Sequence, residues 1–168
     1  QRIQRVSGNN TPAFGHQLVF KPNSEIILSS GSFIGNDKPD STRQMRYFHN
    51  LYGIFQATEK LGITIGFDMG AEQTGKGSSS YNKWFTPVMI AKYSPHPKHH
   101  IAARVEYFGD KNGVIISTGT RNGFKTWGYS LNYDLRIRDN VLWRVEGKNL
   151  RSNDKIFTRD ALVAQDNF

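Results

Sequence analysis

The sequence predicts an all-β chain: an antiparallel up-and-down transmembrane β-barrel of the outer-membrane type, present whole or as an incomplete barrel. Three observations carry this. Apolar residues recur with a spacing of two and not 3.6, so strands follow one another without helical crossovers. The connections alternate between tight turns and long polar loops. The alternation of faces holds in several successive segments. Loops that are short at one end of a meander and long at the other are how membrane barrels are built.

The tight connections fall near Lys21-Pro22-Asn23, Thr58-Glu59-Lys60, Pro95-His96-Pro97 and Arg138-Asp139-Asn140. The long ones fall at Asn36–Gln44, Glu72–Lys83 and Asp110–Asn122, with another beginning near Ser152. Between them lie Gly15–Lys21 and Glu25–Gly35, Met45–Ala57 and Leu61–Ala71, Trp84–Ser94 and His100–Gly109, and Phe124–Arg136 and Val141–Leu150, read as four hairpins. Gln1–Ser7 reads as the tail of an earlier strand. Ala161–Phe168 reads as the end of the last long loop, with no closing strand, because Ala164 and Asp166 stand where such a strand wants apolar residues.

Four segments assign their faces. Leu61, Ile63, Ile65, Phe67 and Met69 alternate with Thr64, Gly66, Asp68 and Gly70. Ile101, Ala103, Val105 and Tyr107 alternate with Ala102, Arg104 and Glu106. Trp127, Tyr129, Leu131 and Tyr133 alternate with Thr126, Ser130, Asn132 and Asp134, and Val141, Trp143 and Val145 with Arg144, Glu146 and Lys148. A slip of one residue would reverse every face, so agreement across four segments is strong evidence for strands. Trp84–Ser94 is ambiguous by alternation, although Lys92 favours even positions inward, with Phe85, Met89 and Tyr93 outward. Met45–Ala57 reads either way.

Mean hydropathy is -0.57, and no run approaches the roughly 18 apolar residues of a spanning helix. A barrel is still allowed, because outward apolar and inward polar residues average to a soluble-looking value. Aromatics at 12% gather near segment ends, where interfacial girdles would use them. A net charge of +8 suits nucleic-acid binding, but Lys and Arg are spread along the chain with no basic patch or helix, so nucleic acid is not an expected partner. The absence of cysteine removes disulfide and thiol chemistry. The opening Gln1-Arg2-Ile3 reads as a processed or partial chain.

The sharpest local signal is a repeated tripeptide, Arg104-Val105-Glu106 and Arg144-Val145-Glu146. One hairpin and its loop separate the copies, so both lie on strands running the same way, with Arg and Glu on one face. Asp68 and Asp134 share that face and add acceptors for inward Arg and Lys. The candidate lumen-facing residues are Asp68, Lys92, Arg104, Glu106, Asp134, Arg144, Glu146 and Lys148. Such rows brace a lumen and set the field that a solute meets; as an exposed ion-pair ladder they would add little stability. Their mixed signs predict no strong anion selectivity from net charge alone. His96, His99 and His100 sit at one turn without a fourth ligand, so no metal site is assigned. Gly75-Lys76-Gly77-Ser78-Ser79 lacks the full phosphate-loop spacing and a following helix. No catalytic arrangement stands out, and neither an enzyme activity nor a cofactor is expected.

Several stretches resemble a known family. They are Leu61–Gly70 with its Gly-Phe-Asp-Met-Gly end, Tyr81-Asn82-Lys83-Trp84-Phe85-Thr86-Pro87, Ala103–Ile116, and Leu142–Glu146 taken with Asp154-Lys155-Ile156-Phe157. In combination they are similar to outer-membrane β-barrel porins of the OmpL-like type, the BBP2 group found widely in Bacteroidetes. The resemblance implies a bacterial outer-membrane location, membrane lipid and small hydrophilic solutes as partners, and passive diffusion through a polar lumen. It also implies that residues 1–168 are one barrel region of about eight or nine strands, the C-terminal portion of a longer barrel. Two alternatives stay open: a plugged, structural or partner-binding subunit of an outer-membrane complex, and a soluble all-β binding module. Self-association, strand total and solute identity are not legible.

Overall fold

The computed structural model describes residues 6–159 and 162–167. Four hairpins follow in order: β1 (Phe14–Phe20) with β2 (Ile26–Asn36), β3 (Met45–Gln56) with β4 (Leu61–Gln73), β5 (Tyr81–His96) with β6 (His99–Asp110), and β7 (Phe124–Arg138) with β8 (Val141–Ser152). Two short strands, β9 (Phe157–Arg159) and β10 (Leu162–Ala164), pair with each other, and β11 (Asp166–Asn167) returns to β8. The main sheet is antiparallel with the order β1-β2-β3-β4-β5-β6-β7-β8-β11. It is not closed: β1 and β11 are its edges. The expected all-β, up-and-down architecture is therefore what the chain adopts, as an incomplete barrel wall.

The differences lie at the ends. β4 runs on to Gln73 and β5 begins at Tyr81, so the connection expected over Glu72–Lys83 contracts to 74–80. Val6 and Ser7 are not in a strand, and the rest of that expected tail lies outside the described residues. Asp166 and Asn167, read from the sequence as loop, pair with Arg151 and Leu150, while Ala161 and Phe168 lie outside the described residues. The backbone ladder supplies the reason: β8 offers a free edge at its loop end, and two residues suffice to pair with it whatever their side chains.

Short connections at 21–25, 57–60, 97–98 and 139–140 gather at one end of the sheet; those at 37–44, 74–80 and 111–123 gather at the other. In the middle of β5 the pairing with β6 passes from Phe85↔Gly109 to Val88↔Glu106. Pro87, which has no N–H to donate, lies in that gap.

The register settles both ambiguous strands. Even positions of β3 to β8 and odd positions of β1 and β2 share one face, which carries Arg46, Asn50, Asp68, Thr86, Glu106, Ser130 and Glu146. The opposite face carries Leu51, Ile65, Phe67, Met89, Leu131 and Val145, all substantially exposed. Leu131 is 58% exposed and Trp84, at 5%, is the one buried large apolar side chain among the described residues. A soluble sandwich would bury its apolar face against a second layer. Among the described residues no such layer covers this sheet, and its apolar face suits hydrocarbon.

Aromatic pairs mark both margins of the apolar face. Towards the long loops, Tyr47 meets Tyr81 at 5.9 Å, Phe85 meets Tyr107 at 5.7 Å and Tyr107 meets Trp127 at 5.0 Å between ring centroids. Towards the tight turns, Tyr133 meets Trp143 at 6.1 Å, with Tyr93 on the same side of the sheet. Phe85 and Tyr93 are separated by about 27 Å of extended strand, or roughly 21 Å of height at a barrel tilt near 40°. That is close to the apolar band of a membrane barrel.

Candidate functional site

The polar face curls round a cavity of about 880 Å³ that reaches from Phe33 on β2 and Arg46 on β3 to Phe108 on β6. Its charged wall falls into two groups. The first lies at the loop end of β2 to β4. Arg46 donates through Nε and Nη2 to Glu72 Oε2 at 2.9 and 2.5 Å, and through Nη1 to Asp37 Oδ2 at 2.8 Å. Lys38 Nζ lies 3.5 Å from Glu72 Oε1 and also donates to Gln44. Glu72 is buried, so these partners keep its charge from being stranded.

The second group lies on β5 to β8. Arg144 donates to both carboxylate oxygens of Asp134, at 2.6 and 2.7 Å. This fork-to-carboxylate pair is possible because the two residues are directly opposite across β7 and β8. Arg104 pairs with Glu106, and Lys148 Nζ lies 3.7 Å from the other Glu106 oxygen. Lys92, Arg104, Asp134, Arg144 and Glu146 meet round a smaller recess of about 290 Å³, with His100 and Asn132 between them. Arg144 is 57% exposed at its side chain, so solvent screens its pair with Asp134 and the pair adds little stability. The ladder shapes the electrostatic field of the wall more than it stabilises the sheet.

All the predicted wall residues share this one face. Seven of them gather on β5 to β8 (Lys92, Arg104, Glu106, Asp134, Arg144, Glu146 and Lys148), and the Arg-Val-Glu copies occupy β6 and β8, which run the same way. Asp68 stands apart. Among the described residues it accepts from Asn50 Nδ2, its cross-strand partner on β3, and not from the Arg or Lys expected. The sequence reading missed Arg46, Glu72, Asp37 and Lys38, because β3 mixes polar and apolar residues on both faces and hid its register. It also missed Trp84, an aromatic on the polar face. Its signal was Gly70: a Cβ there would stand 2.0 Å from the Trp84 ring, so the glycine leaves the space the indole fills.

The histidines of the third turn divide between faces. His99 Nδ1 bonds the Tyr133 hydroxyl at 2.6 Å on the apolar face, while His100 Nδ1 bonds Ser94 Oγ at 2.8 Å on the polar face. Adjacent strand residues point oppositely, so these two rings cannot converge on one ion.

At the loop end, Asp40 and Asp154 each tie two separate segments together. Asp40 accepts from the Asn10 amide at 2.9 Å and the Thr11 hydroxyl at 2.8 Å, tying the segment before β1 to the 3-10 turn at Asp40–Thr42. Those bonds hold its pKa below the ordinary value, the Asn10 amide contributing most. Asp154 accepts from Asn122 Nδ2 at 2.7 Å and the Asn122 amide at 3.1 Å. The Asn122 side chain is the main cause of its lowered pKa.

An antiparallel wall with lipid-facing aliphatics, aromatic margins and a charged inner face defines a β-barrel membrane protein of the pore type. Comparison with known families gives the same answer. Residues 1–168 match the family described as "Putative beta-barrel porin-2, OmpL-like", and the chain belongs to that family. No curated protein and no solved structure matches the chain.

Proposed function

We propose that this chain forms part of the wall of an outer-membrane barrel through which small hydrophilic solutes diffuse passively. The observation that carries the reading is the polar face itself. It carries charged and hydrogen-bonding side chains from the 37–44 loop to the third turn, while the opposite face is largely apolar and edged with aromatics. Asp68, Lys92, Arg104, Glu106, Asp134, Arg144, Glu146 and Lys148 are the lumen residues of this reading. They do no chemistry; their paired signs let water and polar solutes replace bulk hydration without a large single-sign barrier. The open edges at β1 and β11 support a place for residues 1–168 within a larger barrel. The test is single-channel recording of the purified full-length protein in planar bilayers. Discrete conductance steps are expected, and silence under conditions where a control porin conducts would overturn the proposal.

A second reading has an observation of its own. Val6, Asn9 and Thr11, from the segment before β1, line the inner cavity alongside Arg46 and Trp84. A plugged barrel serving a partner complex would use such a segment. In that case the protein would be silent in bilayers and would co-purify with a partner.

A further inference from the structure

The connection between β6 and β7, residues 111–123, does not stand away from the sheet as an ordinary surface loop would. Asp110, the last residue of β6 and on the polar face, is fully buried at 0% exposure. Its carboxylate accepts three successive backbone amides: Val114 at 2.9 Å through Oδ1, and Ile115 and Ile116 at 2.7 and 3.0 Å through Oδ2. Three N–H donors on one buried carboxylate satisfy its charge and fix the backbone of the loop's first half. The other stem is pinned as firmly. Gly123 has φ +65, and a Cβ there would stand 2.3 Å from the Lys111 carbonyl oxygen, so the stems touch and only glycine fits. Held in this way, the loop turns back over the wall. Ile115 lines the inner cavity with Arg46, Phe48, Asp68, Trp84 and Phe108. On the same face Thr126 and Ser152 are buried at 3% and 4%, so this end of the wall is covered.

We infer that residues 111–123 are a constriction, folded into the lumen by the Asp110 carboxylate, that sets the size of solute admitted. This rests on the diffusion reading above. Its tip, Asn112 to Thr120, carries no charge, and its cations, Lys111 and Arg121, stay at the stems. Across the cavity Arg46 is already paired with Asp37 and Glu72. The narrow point therefore presents a neutral loop to an internally neutralised wall, and it sorts by cross-section before charge. Asp110 is a positioning residue: it touches no solute and acts only through the loop.

The sequence contains no cysteine, so Ile115→Cys places a single thiol in this region. In the refolded full-length protein, that thiol is treated with a small charged methanethiosulfonate and, separately, with a maleimide bearing a long polyethylene glycol chain. Ser79→Cys, on the exposed 74–80 loop, is the control. The small reagent is expected to react at Ile115→Cys, a position 46% exposed on the cavity, while the large one reacts there about tenfold more slowly than at Ser79→Cys, because a long polymer chain enters a narrow lumen poorly. Adding Asp110→Asn or Asp110→Ala is expected to remove that protection. In bilayers, the small reagent is expected to lower the single-channel conductance of Ile115→Cys, and the Asp110 variants to raise it. Equal reaction of the large reagent at the two sites overturns the inference, and so does a conducting Ile115→Cys channel whose modification leaves conductance unchanged. If the thiol is shielded and Asp110 variants release it, but no variant conducts, the inward fold of the loop stands and the diffusion reading fails.

Discussion

The Arg46 guanidinium lies over the indole of Trp84, its central carbon 5.8 Å from the ring centroid, while its nitrogens bind Glu72 and Asp37. One cation thus joins three strands and a loop on the inner wall. Trp84 owes its position to Gly70 on the neighbouring strand, where any Cβ would enter the ring. Gly70→Ala is expected to force the indole off its seat and destabilise the folded wall by about 1–3 kcal/mol. Urea titration in lipid vesicles, followed by tryptophan fluorescence, measures it; a midpoint equal to wild type would show that Trp84 moves aside freely.

The ladder on β5 to β8 holds Lys92, Arg104, Arg144 and Lys148 against Glu106, Asp134 and Glu146. Replacing Glu106 and Glu146 together by Gln widens the excess of cations without removing the bidentate Asp134–Arg144 pair. If the wall lines the conducting path, the anion-to-cation permeability ratio is expected to rise at least about twofold. Reversal potentials in a salt gradient measure the change, and an unaltered ratio would place these residues away from the path.

Asp154 joins the last long loop to Asn122, and its pKa is lowered chiefly by the Asn122 side chain. A carboxylate whose folded pKa is depressed adds stability that is fully present above its unfolded value. Here that value is the ordinary 3.8, and the contribution is lost as pH falls through the folded pKa below it. Amide exchange at Asn122, corrected for its intrinsic rate, is therefore expected to quicken only on strong acidification. Asp154→Asn is expected to be quick throughout, and identical profiles would exclude the tie.

The strands were legible wherever one face alone met lipid. Leu61 to Met69 and Trp127 to Tyr133 alternate cleanly because hydrocarbon rejects polar groups at every other position. β3 did not read cleanly because Tyr52 and Ile54 face inward and His49 outward. His49 lies 6.1 Å from His16, whose Nδ1 bonds Ser32 Oγ at 2.7 Å, so the outer face of β1 to β3 carries a polar row in a band that is otherwise apolar. Charged pairs within one strand or across adjacent ones followed from alternation. Asp110 was named only as the start of a loop, because a carboxylate that binds backbone amides has no partner side chain to betray it.

The assignment of faces has a sharper test than any deletion, because adjacent residues of one strand should respond oppositely. Leu131 is 58% exposed on the apolar face in the middle of β7, between Trp127 and Tyr133. Asn132 points the other way and lies opposite Glu146 on β8. An arginine at a lipid-facing site near the bilayer midplane costs about 2–4 kcal/mol, whereas one facing the lumen tunes selectivity instead. Leu131→Arg is expected to lower folding stability in vesicles by that amount and to weaken the folded band on unheated gels. Asn132→Arg gains a carboxylate partner and is expected to fold as well as wild type. Equal loss in both would mean the sheet meets the same medium on its two faces, and that outcome would remove the barrel reading at its base.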